Sequence, residues 1–385
     1  MVPLQRWAAA LKAASLAPAA GVTVVVGNEA ADADSIVSAL TYAYLLDQGG
    51  ERALPIVACN RADMRLRSET VLLLQLCGVD SASLIFLDDP QAKELLEHAN
   101  RVVLVDHNKA TGLVADIAAG RVAIIVDHHK DLGQHTNVTG PARNIAFKDA
   151  KATAGSCCTL VAEAFLESPS GRALLACENG SAARALLGVI LIDTVGLEQR
   201  FQKVTPRDVV AAESLQSLAP APASDELFRQ LDAAKFDDKF WEQLGADQCL
   251  RYDYKRFEAG GRALGLSSVL CSLHALVGKA GWAEESARWA QGVDLFGVLS
   301  NRKCKDGVAR ELLLMSSDGG ALASEAAQYA ARFEDPVLSL QPLPLPEGGP
   351  PGALAFSQGN SAASRKQVAP CLSAFLESTA GGAAL

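Results

Sequence analysis

Residues 101–108 read RVVLVDHN and residues 121–129 read RVAIIVDHH. Each is a run of mostly β-branched, apolar residues that stops at an aspartate followed by histidine. A strand that is apolar almost throughout, rather than at alternate positions, belongs in a parallel sheet covered on both faces. Three other runs in the first half have the same character: 22–27 (VTVVVG), 54–58 and 83–87 (SLIFL). Between them, 35–46 (SIVSALTYAYLL) and 68–76 carry helical spacing. The repeated order of strand, polar loop and helix predicts an α/β fold with a doubly wound parallel sheet. Such sheets place ligands at the carboxyl ends of their strands.

Outward from this core, 217–224 (SLAPAPAS) is a Pro and Ala stretch with little to pack, and it reads as a linker. Beyond it, 226–257 reads as charged and helical, and β-like runs return at 264–270, 293–299, 311–315 and 353–356. The expected organisation is a first domain over 1–216 and a smaller mixed α/β domain over 225–385, with the active site in the cleft between them. The Pro-rich segment 336–351 reads as an irregular surface loop rather than a polyproline ligand.

The length of 385 residues and the 49% apolar content suffice for two separate cores. No apolar run approaches the roughly 20 residues needed to cross a bilayer, so a membrane role is not expected. Residues 1–20 carry Arg6 and Lys12 without any acid, as transit segments of organelle proteins do. Leu4, Trp7, Ala8 and Leu11 nevertheless fall at helical spacing and predict an amphipathic first helix. Nine cysteines without a C-x-x-C pair describe no disulfide framework, which fits a reducing cytoplasm, with an organelle matrix as the alternative. Cys157 and Cys158 read as small packing residues. A net charge of −9 argues against a general nucleic-acid binder but not against a polyanionic substrate, because bound cations offset carboxylates locally. Nothing in the sequence points to a protein partner.

The chemistry gathers at the run ends. Asp32 and Asp34 follow the first run in GNEAADADS (27–35), Asp106 ends RVVLVD, and Asp127, His128 and His129 end RVAIIVDHH. Asp193 closes another apolar run, GVILID (188–193), which reads as a helix. Four of the six histidines lie between His107 and His135. In a parallel sheet these ends share one edge, and burying several carboxylates there without neutralising them costs several kcal/mol each. Divalent cations remove that cost. Oxygen-rich sites with one imidazole suit Mg²⁺ or Mn²⁺ better than zinc. Two such ions, about 3.5 to 4 Å apart, lower the pKa of a shared water and hold a phosphoryl group for in-line attack.

The set D-x-D (Asp32, Asp34), DHN (106–108), DHH (127–129) and Asp193, in this order, resembles the four motifs of the DHH phosphoesterases. DYK (253–255), GLSSV (265–269) and SRKQVAP (364–370) resemble the DHHA2 domain of exopolyphosphatases, family II pyrophosphatases and prune-type proteins. Within that group pyrophosphatases open the first motif with histidine, whereas this chain has Asn28, and prune-type proteins often carry DHR in place of DHH. The combination therefore resembles the exopolyphosphatases. It implies two divalent ions, Mg²⁺ or Mn²⁺ with Co²⁺ as an alternative, and hydrolysis of polyphosphate or another short phosphoanhydride. Asp106 and Asp193 would bridge the ions, Asp32 would complete one shell, and Asp34 with His128 the other. Asn28 would leave one ion a weaker or missing ligand.

The resemblance also implies that His129 sits over the substrate as donor or general acid, with Asp127 orienting a histidine or reaching a metal. Lys255, Arg365 and Lys366 would clamp phosphate oxygens. Asn28, His107 and His135 are further substrate-contact candidates and Arg143 a weaker one, while Gly155 and Ser156 either let a backbone approach the site or begin a helix. The structural alternative for Arg365, Lys366 and Lys255 is a solvated helix face, and for His135 a solvent-exposed loop. Residues 360–364 (NSAAS) suit a helix N-terminus able to hold phosphate. The nearest alternatives to an exopolyphosphatase are a pyrophosphatase, a prune-like cyclic-nucleotide phosphodiesterase, and a regulatory binding protein with a weakened metal site.

Overall fold

The apolar runs of the first half pack as a parallel sheet because their residues are covered from both sides: Val24, Val25, Val26, Val102, Val103, Leu104 and Val105 are all fully buried. The computed structural model describes residues 2–16, 21–219, 221–304, 307–346 and 352–380. Parts of the N-terminal, linker and Pro-rich expectations, at 17–20, Pro220 and 347–351, lie outside the described residues. The chain divides into two compact units, Met1–Lys235 and Phe236–Leu385.

The first unit runs α1 (Leu4–Ala9), α2 (Leu11–Ser15), β1 (Thr23–Val26), α3 (Ala33–Gln48), β2 (Ala53–Ile56), α4 (Ser68–Leu76), α5 (Pro90–His98), β3 (Arg101–Val105), α6 (Gly112–Ala118) and β4 (Val122–Asp127). It continues through β5 (Arg143–Ile145), a small hairpin of β6 (Phe147–Lys148) and β7 (Lys151–Ala152), and α7 (Cys157–Leu166), α8 (Pro169–Asp193), α9 (Pro206–Leu218) and α10 (Ser224–Lys235). The strand order is β2-β1-β3-β4-β5, and every pairing is parallel. The order reverses between β1 and β3. That is the topological switch point, where the loops after two adjacent strands part and leave a crevice.

Three expectations change here. The run 83–87 is not a strand: it makes one parallel bridge, Val57 with Phe86, because a 3-10 turn at Ser81–Ser83 precedes it and the Asp89 carboxylate takes the Phe86 N–H at 2.9 Å. Strand β5 was not foreseen, being only three residues long. And α8 is long and apolar enough to span a bilayer, unlike any run expected from the sequence. It is interrupted by non-helical backbone from Cys177 to Gly180, and Leu186 to Leu191 are buried in the unit's core. The N-terminal reading gave one helix where two short ones occur, with Leu4, Trp7, Ala8 and Leu11 all buried.

The unit division falls later than 217–224. Helix α10 packs Leu227 and Leu231 into the first unit's core, so the Pro and Ala stretch joins two helices of the same unit.

The second unit contains α11 (Asp238–Gln243), α12 (Ala246–Arg251), β8 (Tyr254–Ala259), β9 (Arg262–Val269), α13 (Leu273–Val277), α14 (Trp282–Gln291), β10 (Leu295–Cys304), β11 (Gly307–Ser316), α15 (Ala321–Arg332), β12 (Leu340–Pro342), β13 (Leu354–Gln358) and α16 (Arg365–Ala380). Its sheet has the order β12-β13-β11-β10-β9-β8, and only β9 and β10 run parallel. Leu264, Leu266, Leu295, Leu299, Leu312 and Leu314 share one face and pack on α15 and α16. The helical reading of 226–257 fails after Arg251. Gly260 and Gly261 both take positive φ, which a two-residue hairpin turn requires, and so Tyr254–Ala259 pairs back on β9. Lys255 therefore lies on a strand, not on a helix. The 336–351 segment also contributes the short strand β12.

Candidate metal centre

The loops after β1, β3 and β4 and the end of α8 carry the acidic residues. Gly27 lets the first loop pass close to α3: a Cβ there would fall 2.7 Å from Ser35 Cβ and 2.8 Å from its carbonyl oxygen. Asp32 then caps α3, its Oδ1 accepting from the Ser35 N–H at 3.0 Å. Asp34 follows in the first helical turn and is buried.

Asp34 is gripped by the start of α7. Its Oδ1 accepts from the Cys158 N–H at 2.8 Å and Ser156 Oγ at 2.9 Å, and its Oδ2 from the Cys157 N–H at 2.7 Å. Ser156 thus caps α7 and also faces Asp34. Gly155 is needed for close approach, since a Cβ would lie 2.8 Å from Asp208 Oδ2 and against the Lys203 carbonyl. Cys157 and Cys158 are buried, as a packing role requires. Despite these donors, burial and then the Asp106 charge push the Asp34 carboxyl up to about 6.

Asp106 sits one residue past β3 in a left-handed conformation, φ 61°. Its Oδ2 accepts from Asn28 Nδ2 and Ser35 Oγ, both at 2.7 Å. Its Oδ1 is buried and accepts no hydrogen bond. Burial, followed by the Asp32 charge, pushes it up to about 6. Asp193 ends α8; its Oδ2 is likewise buried without a donor. Burial and the charges of Asp34 and Asp32 hold it well above the ordinary carboxylate range, against the pull of Lys235.

His128 Nδ1 lies 3.0 Å from the Ala154 carbonyl. The proton therefore sits on Nδ1 in the neutral ring, and Nε2 presents a lone pair. That nitrogen is 3.4 Å from Asp106 Oδ1 and 3.6 Å from Asp34 Oδ2. Acceptors facing acceptors in a buried place need a proton or a cation between them. Ligand atoms of Asp106, His128 and His129 all lie within 4.8 Å of one another. The donor set is mostly oxygen with imidazole, which suits a divalent cation such as Mg²⁺ or Mn²⁺.

Asp127 is built differently. Its Oδ1 accepts from the His128 and His129 N–H groups at 2.8 and 3.1 Å and from His129 Nδ1 at 2.9 Å, and its Oδ2 from Asn108 Nδ2 at 2.5 Å. Burial raises this carboxyl, but the hydrogen bond and charge of His129, the charge of His128 and the Asn108 amide outweigh it and hold it far below the usual range. Its place is beneath His129, whose side chain is 33% exposed.

Other candidates brace the loops. His107 Nδ1 lies 2.9 Å from the Val105 carbonyl. His135 Nε2 accepts from the Ala110 N–H at 3.1 Å, and its imidazole is held below its ordinary pKa by burial and then by Arg143. Arg143 ties Asp131 at 2.6 Å and the carbonyls of Gln134 and His135 at 3.0 and 3.2 Å. In the second unit Arg365 starts α16 and donates to the Asp253 carbonyl and carboxylate, both at 2.8 Å, and to Ser268 Oγ at 3.3 Å. This binds the DYK, GLSSV and SRKQ segments to one another. Lys255 is half-buried and Lys366 exposed.

Ser35, Asn108 and Lys235 are the neighbours that sequence reasoning missed. Ser35 and Asn108 stand inside quoted motifs, beside the aspartates they serve. Lys235, 4.0 Å from Glu69, reaches the vicinity of Asp193 only through the packing of α10 and left no local signal.

The family model for the N-terminal domain of the DHH family matches residues 22–190, and that for the DHHA2 domain matches 229–375. A Schizosaccharomyces pombe protein, named provisionally as an exopolyphosphatase, is 32% identical across 94% of this chain and 93% of its own. A manganese-dependent inorganic pyrophosphatase of Methanocaldococcus jannaschii is 26% identical over 64% of this chain and 70% of its own. A Methanococcus jannaschii crystal structure, titled provisionally as a family II inorganic pyrophosphatase, shares the fold with a TM-score of 0.62, 22% identity, and coverage of 92% of this chain and 99% of that one. With its parallel sheet, its acidic switch point and its mixed second sheet, the chain belongs to the DHH family of hydrolases, of exopolyphosphatase and pyrophosphatase type, with a DHHA2 domain as its second half.

Proposed function

We propose that the chain is an exopolyphosphatase that releases the terminal phosphate of linear inorganic polyphosphate as orthophosphate, using two divalent cations, Mg²⁺ or Mn²⁺. The observation that carries this reading is the set of buried Asp34, Asp106 and His128 with half-buried Asp193, in which the buried Asp106 Oδ1 and Asp193 Oδ2 lack any hydrogen-bond donor. Asp32, Asp34, Asp106, His128 and Asp193 would hold the cations. When bound, the cations neutralise phosphoryl oxygens and lower the pKa of water.

The chain's own groups do the remaining work. Asn28 and Ser35 hold Asp106 Oδ2 and so turn Oδ1 into the available ligand atom. Asp127 stays ionised and fixes the proton of His129 on Nδ1, leaving Nε2 to face substrate. Water adds to the terminal phosphorus and loses a proton to solvent, the anhydride P–O bond breaks, and the imidazolium form of His129, its second proton taken from solvent, passes its Nε2 proton to the departing chain. Lys255, Arg365 and Lys366 supply positive charge to the phosphates, Arg365 already ordered by Asp253. No covalent enzyme intermediate is required. The nine cysteines are free thiols, which supports a cytoplasmic or other reducing setting.

The test is orthophosphate release from long-chain polyphosphate with Mg²⁺ or Mn²⁺ added. Efficient hydrolysis of pyrophosphate with no release from long chains rejects the substrate assignment. Pyrophosphatase activity is the second reading, favoured by the manganese-dependent relative. Asn28 separates the two: an Asn28→His variant is expected to shift preference toward pyrophosphate, and an unchanged preference removes Asn28 as the discriminator.

A further inference from the structure

We propose that Arg310 is a second phosphate-binding cation, acting beside Arg365, that makes the second unit prefer long phosphate chains to short ones; the proposal rests on the polyphosphate reading above. Arg310 belongs to none of the motifs that led to the functional reading. On β11 it pairs with Asn301 of β10 and Gln358 of β13. The register puts these residues on the face that packs on α16, one row beyond the core row of Ser268, Leu299, Leu312 and Phe356.

Arg365 is held in that core row by Ser268, on β9. Arg310 is two strands away, about 10 Å across the sheet. The loop leading into α16 orders the Arg310 guanidinium, whereas Asp253 and Ser268 order that of Arg365. Gln358 Nε2 donates to the carbonyls of Asn360 and Ala363 at 2.7 and 2.6 Å, fixing the turn. The Ser361 carbonyl in that turn accepts from Arg310 Nε at 2.6 Å, and the chain then enters α16 at Arg365.

Arg310 is half-buried, and among the described residues no carboxylate pairs with it. Burial alone moves its pKa, downward, with no acid opposing the shift. An arginine contributes five N–H donors in a planar fork, and here one is spent on Ser361. A half-buried cation without an acid, ordered by a carbonyl and close to the first turn of a sixteen-residue helix, is built to receive an anion from outside. Arg365, by contrast, already has Asp253. Pyrophosphate is too short to touch both arginines, whereas a chain of several phosphates spans them.

The experiment measures binding to the full chain with divalent cations removed by EDTA, so that turnover does not interfere. The probes are long-chain linear polyphosphate and pyrophosphate. Arg310→Gln is expected to weaken binding of the long chain about tenfold while leaving pyrophosphate unchanged, and Arg310→Lys to recover part of the loss. Arg310→Met, which keeps the apolar stem, gives the same split if the Gln variant does not fold. Equal loss for both probes, or no loss for either, overturns the proposal. The two readings fail separately. If the Arg310 variants show the binding split but the wild-type chain releases no phosphate from long chains, the exopolyphosphatase assignment is overturned and Arg310 is left standing.

Discussion

At the carboxyl edge of the parallel sheet, Asp34, Asp106 and Asp193 are brought together with His128 and two carboxylate oxygens are left without donors, whereas at the β9 end of the mixed sheet Arg365 meets Asp253 at 2.8 Å. Both places are charged and largely buried, yet only the second is neutral by itself. A buried charge that lacks an internal partner is destabilising by several kcal/mol unless a counter-ion arrives. The first place is therefore incomplete without a cation. The second is complete without its ligand and contributes geometry instead.

Four measurements press on this contrast. Removing charge from the incomplete site has the largest expected effect: Asp106→Asn should lower phosphate release more than about a hundredfold, beyond what loss of an outer partner costs. A folded Asp106→Asn protein with wild-type turnover would end the metal-centred account. Asp127→Asn should cost about 10- to 100-fold in kcat, because His129 loses the anion that fixes its proton; retention of full kcat would reduce Asp127 to a loop brace.

The neutral site predicts a different signature. Arg365→Lys keeps the charge but loses the planar fork that holds Asp253 and Ser268, so KM for polyphosphate should rise about tenfold with kcat little changed. A fall in kcat with constant KM would place Arg365 in the chemistry itself. The smallest effect concerns pH. Asp34 and Asp106 both rise from 3.8 to about 6 on folding, so between about pH 4 and 6 the cation-free folded chain holds more protons than the unfolded one. Their contribution to stability is full below pH 4 and is lost as pH rises through 6. Mn²⁺ must displace those protons, so its gain in Tm should be larger at pH 7 than at pH 5, which thermal unfolding with and without EDTA measures. Equal gains at both pH values would mean that these carboxylates are not the ligands.

The strand ends were legible because 101–105 and 121–126 are too apolar to be anything but doubly covered strands, and each stops at its aspartate. The helix ending at Asp193 announced itself by another apolar run, 188–193, that also stops at an aspartate. What escaped was anything set by short local competition. The run 83–87 has the composition of a strand, but Asp89 captures the Phe86 N–H and reduces the ladder to one bridge. The Gly260–Gly261 turn outweighed the charged, helix-like composition of 254–257. Within the candidate site, residue types were readable but not their partners. That Asn28 hydrogen-bonds Asp106, and that the α7 N-terminus holds Asp34, depends on segments 78 and 123 residues apart in the chain.

Asp106 also carries a backbone demand, since its φ of 61° suits few residues other than glycine, asparagine and aspartate. Alanine there would disturb the turn as well as the charge. Asparagine would not. Evolution thus has one quiet exit at this position: a descendant bearing asparagine would keep its shape and its ordered arginines while a ligand atom of the acidic cluster changed from one oxygen to one nitrogen.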